Sequence, residues 1–287
     1  MASPGDRSVT GARRPDRKRR NEQLGVQVGV RRQIIRISAR SPKAFRHTLV
    51  VALPWAPMST RWIGMMTVAL ALLMGPVAVA QVAPTAAERV AYRGLFAAAA
   101  SDDGLRIGRL LRRGDAPNTR DGHGRTPLMV AAHGGARNAA RALLVGHADP
   151  NLLDGDRYDI VTIAAVSNDP AMIRLAVKYG AKATNITSRY DGTALIAASH
   201  LGNVEAVREL IRAKAPLDHV NNLGWTALLE AIILGDGGPR HTEVVRMLIA
   251  ARASPFIADR AGVSPLEHAR RRGYDNIVTL FNGPKAG

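Results

Sequence analysis

The chain has 287 residues, 46% hydrophobic and only 4% aromatic, which is enough apolar mass for a core built from small aliphatic side chains rather than rings. It has no cysteine, which excludes disulfides, Cys-based zinc sites and cysteine nucleophiles together. Its formal net charge is +17, but residues 1–57 hold 13 Lys/Arg against 3 Asp/Glu, while residues 81–287 hold 26 against 20, so nucleic-acid binding by the folded part loses its main support.

Residues 1–57 carry the runs Arg13-Arg14 and Arg17-Lys18-Arg19-Arg20 among Pro, Gly and Ser, with no sustained apolar period. Such a segment cannot bury enough surface to offset its chain entropy and is expected to be a disordered leader. Residues 58–80 read as a secretory signal peptide. Arg61 supplies the positive start, an uncharged apolar stretch runs from Ile63 to Val79, Gly75-Pro76 breaks its helix, and Ala78-Val79-Ala80 precedes Gln81. Ala78, Ala80 and Gln81 are therefore the expected cleavage site. Two alternatives stay open: residues 62–80 are just long enough for a retained membrane anchor, or they form a buried helix. Met58 opens the signal so cleanly that residues 1–57 are read as lying upstream of the true start. A twin-Arg export motif at Arg31-Arg32-Gln33-Ile34-Ile35 is the weaker competitor, because the polar stretch Ser38 to Arg46 separates it from the apolar region.

Residues 81–90 read as a linker, 91–281 as a repeat domain, and 282–287 as a tail. The clearest repeated blocks are Arg125-Thr126-Pro127-Leu128-Met129-Val130-Ala131-Ala132, Gly192-Thr193-Ala194-Leu195-Ile196-Ala197-Ala198 and Trp225-Thr226-Ala227-Leu228-Leu229-Glu230-Ala231. Weaker copies begin at Asp159 and Ser264. Equivalent alanines fall at 98, 131, 164, 198, 231 and 269, a step near 33. In each unit Thr126, Thr193, Thr226 or Ser264 is placed to cap a first helix, with Pro127 and Pro265 at its first turn. Gly135, Gly202, Gly235 and Gly273 are expected to end that helix in a left-handed conformation. A second helix carries Leu110-Leu111, Leu143-Leu144, Leu210-Ile211 and Leu248-Ile249 and ends near Gly114, His147, Gly180, Lys214 and Arg252.

Three departures stand out. The third unit uses Asp159 as its cap and Asn168 in place of glycine, both chemically tolerable. Its following turn, residues 184–191, lacks the Asp/Asn-Gly pattern and is expected to be irregular. The fifth unit carries about five extra residues in 235–242, expected as a flexible loop between its helices. The outermost units read as caps.

This block, at this period over about 190 residues, resembles the ankyrin repeat family. The resemblance implies an all-α solenoid of about six helix-turn-helix repeats with hairpin-like connections, and a role as a non-enzymatic interaction scaffold. It also implies a partner on the concave side, at hairpin tips and at the exposed ends of the first helices. Those positions here are Arg120, His123, Arg125, His133, Arg157, Tyr158, Arg189, Tyr190, His200, Asn222, Trp225, Ile233, Arg260 and Arg271. Tyr, Trp and Arg combine large buried area with a directional polar group and often anchor interfaces. The row is basic and aromatic, so the expected partner is a protein with an acidic docking face; an anionic membrane or polyanion is the alternative. No phosphate loop, nucleophile elbow, H-E-x-x-H pair or EF-hand pattern is present, and no histidine pair has ligand spacing, so no catalytic, metal or cofactor site is expected. Asn185-Ile186-Thr187 matches a glycosylation acceptor but is too short a motif to weigh. The expected location is the periplasm of a Gram-negative bacterium, or the exterior, with membrane attachment only through an uncleaved signal segment.

Overall fold

The computed structural model describes residues 81–282; the readings for residues 1–57, for the signal segment with Ala78 and Ala80, and for nearly all of the tail lie outside the described residues. Among the described residues there are thirteen helices and no strand, with one isolated bridge between Thr187 and Gly192. After α1 (Ala86–Ala91) the helices alternate between two rows. The inner row is α2 (Gly94–Ala100), α4 (Pro127–His133), α6 (Ile160–Val166), α8 (Ala194–His200), α10 (Ala227–Ile233) and α12 (Pro265–Arg271). The outer row is α3 (Gly104–Arg112), α5 (Arg137–Val145), α7 (Pro170–Lys178), α9 (Val204–Arg212), α11 (Pro239–Ala250) and α13 (Asp275–Phe281). Each helix packs against its neighbour in its own row and against its partner in the same repeat.

Every inner helix is seven residues long, too short to persist alone in water. What holds it is the stack. The six equivalent alanines, Ala98, Ala131, Ala164, Ala198, Ala231 and Ala269, are all fully buried, because only a methyl group fits where inner helices of adjacent repeats approach. Leu128, Leu143, Ile163, Leu195, Leu210 and Leu228 fill the space between the rows. The caps are as expected: the side chains of Thr126, Asp159, Thr193, Thr226 and Ser264 each accept a hydrogen bond from the backbone N–H three residues on.

The connections add a second, polar form of stacking. The backbone N–H of Gly155 donates to His123 O, that of Ser188 to Arg157 O, and that of Asn222 to Tyr190 O, each at 2.9 Å, so successive hairpin tips are tied in series. The approach is close enough that a Cβ on Gly155 would lie 2.8 Å from the carbonyl oxygen of His123. At the opposite end of the helices, Asp102 and Asn168 take left-handed backbone angles, and their side chains accept from the N–H of Ala139 and Ala206 in the next repeat. A third ladder runs Asn118 to Asp149, Asn151 to Lys182 and Asp218 to Ser254, side-chain oxygen to backbone N–H. The matching position in the last step is Phe256, which has no following repeat to bond and is 86% exposed.

Three expectations need correction. Residues 81–90 do not form a linker: Thr85 and Glu88 make a reciprocal capping box for α1, which packs on α2, and Pro84 is buried. The extra residues of the fifth repeat are not all loop, since Pro239 starts α11 early and the helix takes up three of them, reaching twelve residues where α3, α5, α7 and α9 have nine. Gly235 does not adopt the left-handed angle, which falls to Gly237 at φ +67. Gly235 is required for space instead, because a Cβ there would sit 2.7 Å from the His241 ring. The irregular turn at 184–191 is as expected: it closes from Thr187 to Gly192, one residue longer than the Asp121–Arg125, Asp154–Tyr158 and Asn221–Trp225 turns, with Ser188 and Asp191 at positive φ. At one end α1 packs on α2 and at the other α13 packs on α11 and α12, so residues 81–282 lie within one compact unit.

Candidate functional site

The expected contact positions fall on the hairpins between repeats or at the last residue of an inner helix. Arg120 is exposed and lies along the hairpin edge, with Nη1 donating to Gly124 O and Leu153 O, both at 2.6 Å. Arg260 does the same at the other end, donating to Asn222 O. Asn222 is exposed and its Nδ2 donates to Arg189 O at 2.9 Å. Arg157 pairs with Asp191 at 3.2 Å, His123 approaches Glu88 at 3.1 Å, and Arg271 pairs with Glu267 at 2.8 Å; all three side chains are about half exposed or more. Arg189 is exposed and forms no ion pair among the described residues. Tyr190, Trp225 and Ile233 are half-buried, with one face toward solvent, and Tyr158 packs on the core.

Arg125 does not belong to this surface. It is 1% exposed and acts as an internal strut. Its Nε donates to Asp121 Oδ2 at 2.7 Å, Nη2 to Glu88 Oε1 at 2.5 Å and to Tyr92 Oη at 3.1 Å, and Nη1 to Val82 O at 3.0 Å. Tyr92 Oη in turn donates to Asp121. Hydrogen bonds from Thr85, with Arg125 adding, lower the Glu88 carboxyl to about 2. Burial raises the Tyr92 phenol, so it stays protonated. This network fastens residues 81–92 to the first hairpin, and the position of Arg125 just ahead of a helix cap gave no sign that the chain would cover it.

His133 is half-buried at the end of α4. Burial first, and the Arg125 charge second, lower it to about 4, so the ring is neutral near pH 7, with Nε2 buried and unpartnered. His200 is half exposed, with Nδ1 3.4 Å from Oε2 of the buried Glu230, whose other oxygen accepts from Asn221 Nδ2 at 2.9 Å. A buried carboxylate thus lies beneath half-exposed His200 at the end of α8, which composition alone did not reveal. His241 pairs with Asp236 of its own repeat at 2.7 Å and ties the fifth repeat to the fourth through His200 O at 2.9 Å.

The sequence reading missed the apolar part. Leu201 and Leu234 are exposed at the C-terminal ends of α8 and α10, and Ile186, Val220 and Leu223 are exposed along the hairpins of the same two repeats. The signal was available: the position after the inner helix is Ser101, Gly134, Ser167 and Arg272 in the other repeats, and leucine only here. Among the described residues no group of three or more His, Asp or Glu side chains could hold a metal ion.

Models of ankyrin repeats match residues 110–164, 162–259 and 197–285. The chain belongs to the ankyrin repeat family, whose members generally mediate protein–protein interaction. It is 32% identical over 165 residues to the ankyrin repeat protein YahD of Escherichia coli (strain K12), covering 57% of this chain and 82% of that one. The crystal structure of an ankyrin repeat domain from Acinetobacter baumannii AYE is 42% identical, with a TM-score of 0.63, over 66% of this chain and 95% of that chain. In fold alone, at 21% identity and a TM-score of 0.57, it is similar to a chain in the complex of the Bdellovibrio bacteriovorus predatory endopeptidase Bd0816 with immunity protein Bd3460, over 68% of this chain and 99% of that chain.

Proposed function

We propose that this protein is an exported interaction scaffold of the bacterial envelope that binds a partner protein in the groove of its fourth and fifth repeats. The observation that carries the reading is the exposed apolar side chains of these two repeats: Val220 and Leu223 on the hairpin that holds half-buried Trp225, and Leu201 and Leu234 just past the C-terminal ends of α8 and α10. Adjacent exposed apolar side chains within a polar surface mark interaction sites, and aromatic residues are frequent anchors in them. Arg189, Arg260 and Arg271 at the rim favour a partner whose docking face is apolar at its centre and acidic at its edge. Export to the periplasm rests on the signal-like residues 58–80, with cleavage after Ala80.

The test is capture from a cell-envelope fraction with the 81–287 fragment, beside Trp225→Ala and Leu201→Glu/Leu234→Glu variants. The reading expects one dominant protein held by the wild type and lost with both variants. Equal recovery by all three fragments refutes it.

A further inference from the structure

The open end of the outer row differs from every other part of the surface. In the second repeat the outer helix turns small residues toward the first: Ala142 packs against Gly104, and Gly146 against Leu111. Among the described residues no outer helix precedes that of the first repeat, and its equivalents of Ala139, Ala142 and Gly146 are Arg106, Arg109 and Arg113. These three lie on one stripe of α3, with Arg112 and the 79%-exposed Leu105 beside them. Together with Gly94, Leu110 and Asp115 they line a shallow open groove of about 440 Å³.

None of these four arginines forms an ion pair among the described residues. Farther along the outer row Arg137, Arg174, Arg208, Arg212 and Arg246 are each paired, with Asp169, Glu209, Glu205, Glu209 and Glu243, while Arg141 and Arg240 are not. The acidic groups near the stripe are mostly committed elsewhere: Asp103 caps α3, and Asp102 bonds Asn138 and Ala139. A polar cap for solubility needs charge on this face. It needs neither four unpaired arginines beside one aspartate nor a leucine almost wholly in water.

We propose that this end of the stack, the outward face of α3 with Leu105, Arg106, Arg109, Arg112 and Arg113, docks on the anionic phospholipid headgroups of a membrane surface. Guanidinium groups match phosphate oxygens in a paired geometry, and Leu105 supplies apolar contact at the headgroup boundary. The place in the chain agrees. The apolar stretch Ile63 to Val79 ends two residues before Gln81, and Val82 is already bonded to Arg125. In any form that keeps this stretch in a bilayer, Val82 lies within about 10 Å of its end, three residues of extended chain. This surface lies outside the repeat-four and repeat-five groove, so the proposal stands apart from the reading given above.

The test is sedimentation of the 81–287 fragment with vesicles of phosphatidylglycerol and phosphatidylcholine, against vesicles of phosphatidylcholine alone. The fragment is expected to partition to the anionic vesicles only, less so as salt rises. Each basic residue near an anionic surface adds roughly fivefold, so Arg106→Gln/Arg109→Gln/Arg113→Gln lowers partition by about 100-fold. The corresponding triple lysine variant retains most of it, and circular dichroism checks that each variant keeps its helices. Leu105→Ser is expected to weaken vesicle partition while leaving binding of soluble polyphosphate unchanged. No partition to anionic vesicles at low salt, equal partition by the glutamine variant, or polyphosphate binding without vesicle binding would each overturn the proposal.

Discussion

Replacing Arg125 with alanine removes the four hydrogen bonds of a guanidinium that is 1% exposed and keeps the backbone N–H bond to Asp121. What remains is Asp121, with a side chain 9% exposed, facing Tyr92 without its cation. Breaking a buried pair by deleting one member costs about 3 kcal/mol or somewhat more, chiefly because the other charge is left uncompensated. For a unit of this size each kcal/mol shifts Tm by about 2–4 °C, so Arg125→Ala is expected to lower it by about 6–12 °C. The damage should be local first, since Arg125 holds Val82, Glu88 and Tyr92 to the first hairpin. Hydrogen exchange measured by mass spectrometry on the 81–287 fragment reads this directly. Protection is expected to fall in residues 81–100 well before the fourth repeat responds. Arg125→Lys, which keeps charge but loses the planar fork, should fall between the two. Unchanged protection across residues 81–100 in Arg125→Ala would refute the strut.

Further outcomes follow from single contacts. His133 has a folded pKa lowered from 6.5 to about 4, so the unfolded chain binds a proton first. Its contribution is full above pH 6.5 and is lost as pH falls toward 4, by up to about 3 kcal/mol, and His133→Leu should flatten the melting temperature across that window. Glu88, lowered from 4.5 to about 2, contributes above pH 4.5 and loses that contribution as pH falls toward 2, which acid titration of Glu88→Gln against wild type would check. Gly124 has φ +74 and a Cβ there would lie 2.9 Å from Gly155 N, so Gly124→Ala should cost about 2 kcal/mol in chemical denaturation. Ala164→Leu, which forces three carbons into a fully buried contact between inner helices, should cost at least about 2 kcal/mol by the same assay.

Much of the stack was legible because the repeat encodes it several times over. Six alanines at one period, and hydroxyl or carboxylate caps ahead of them, each state the same helix start, so the weak third copy could be placed by its neighbours. Features that occur once were harder to read. Arg125 looks like a hairpin contact because its burial depends on residues 81–92 folding back over it, a contact between segments with no shared period. The fifth repeat's extra residues looked like loop because Gly237-Gly238 precede Pro239, yet Pro at the first helical turn starts α11 early. The contact surface was half legible. Hairpin arginines and aromatics follow from register alone. The buried carboxylate of Glu230 requires knowing that His200 stands 3.4 Å from it. Leu201 and Leu234 needed only a comparison of the residue after each inner helix, where they break the pattern.

The central claim, that a partner protein is held in the groove of the fourth and fifth repeats, is tested most directly by site-specific photocrosslinking in the envelope. A photoreactive phenylalanine is placed at position 201, at position 234 and, as control, at the outer-row position 141. The account predicts one common adduct from 201 and 234 and none from 141. Adducts from 141 alone, or the same adduct from all three positions, would contradict it.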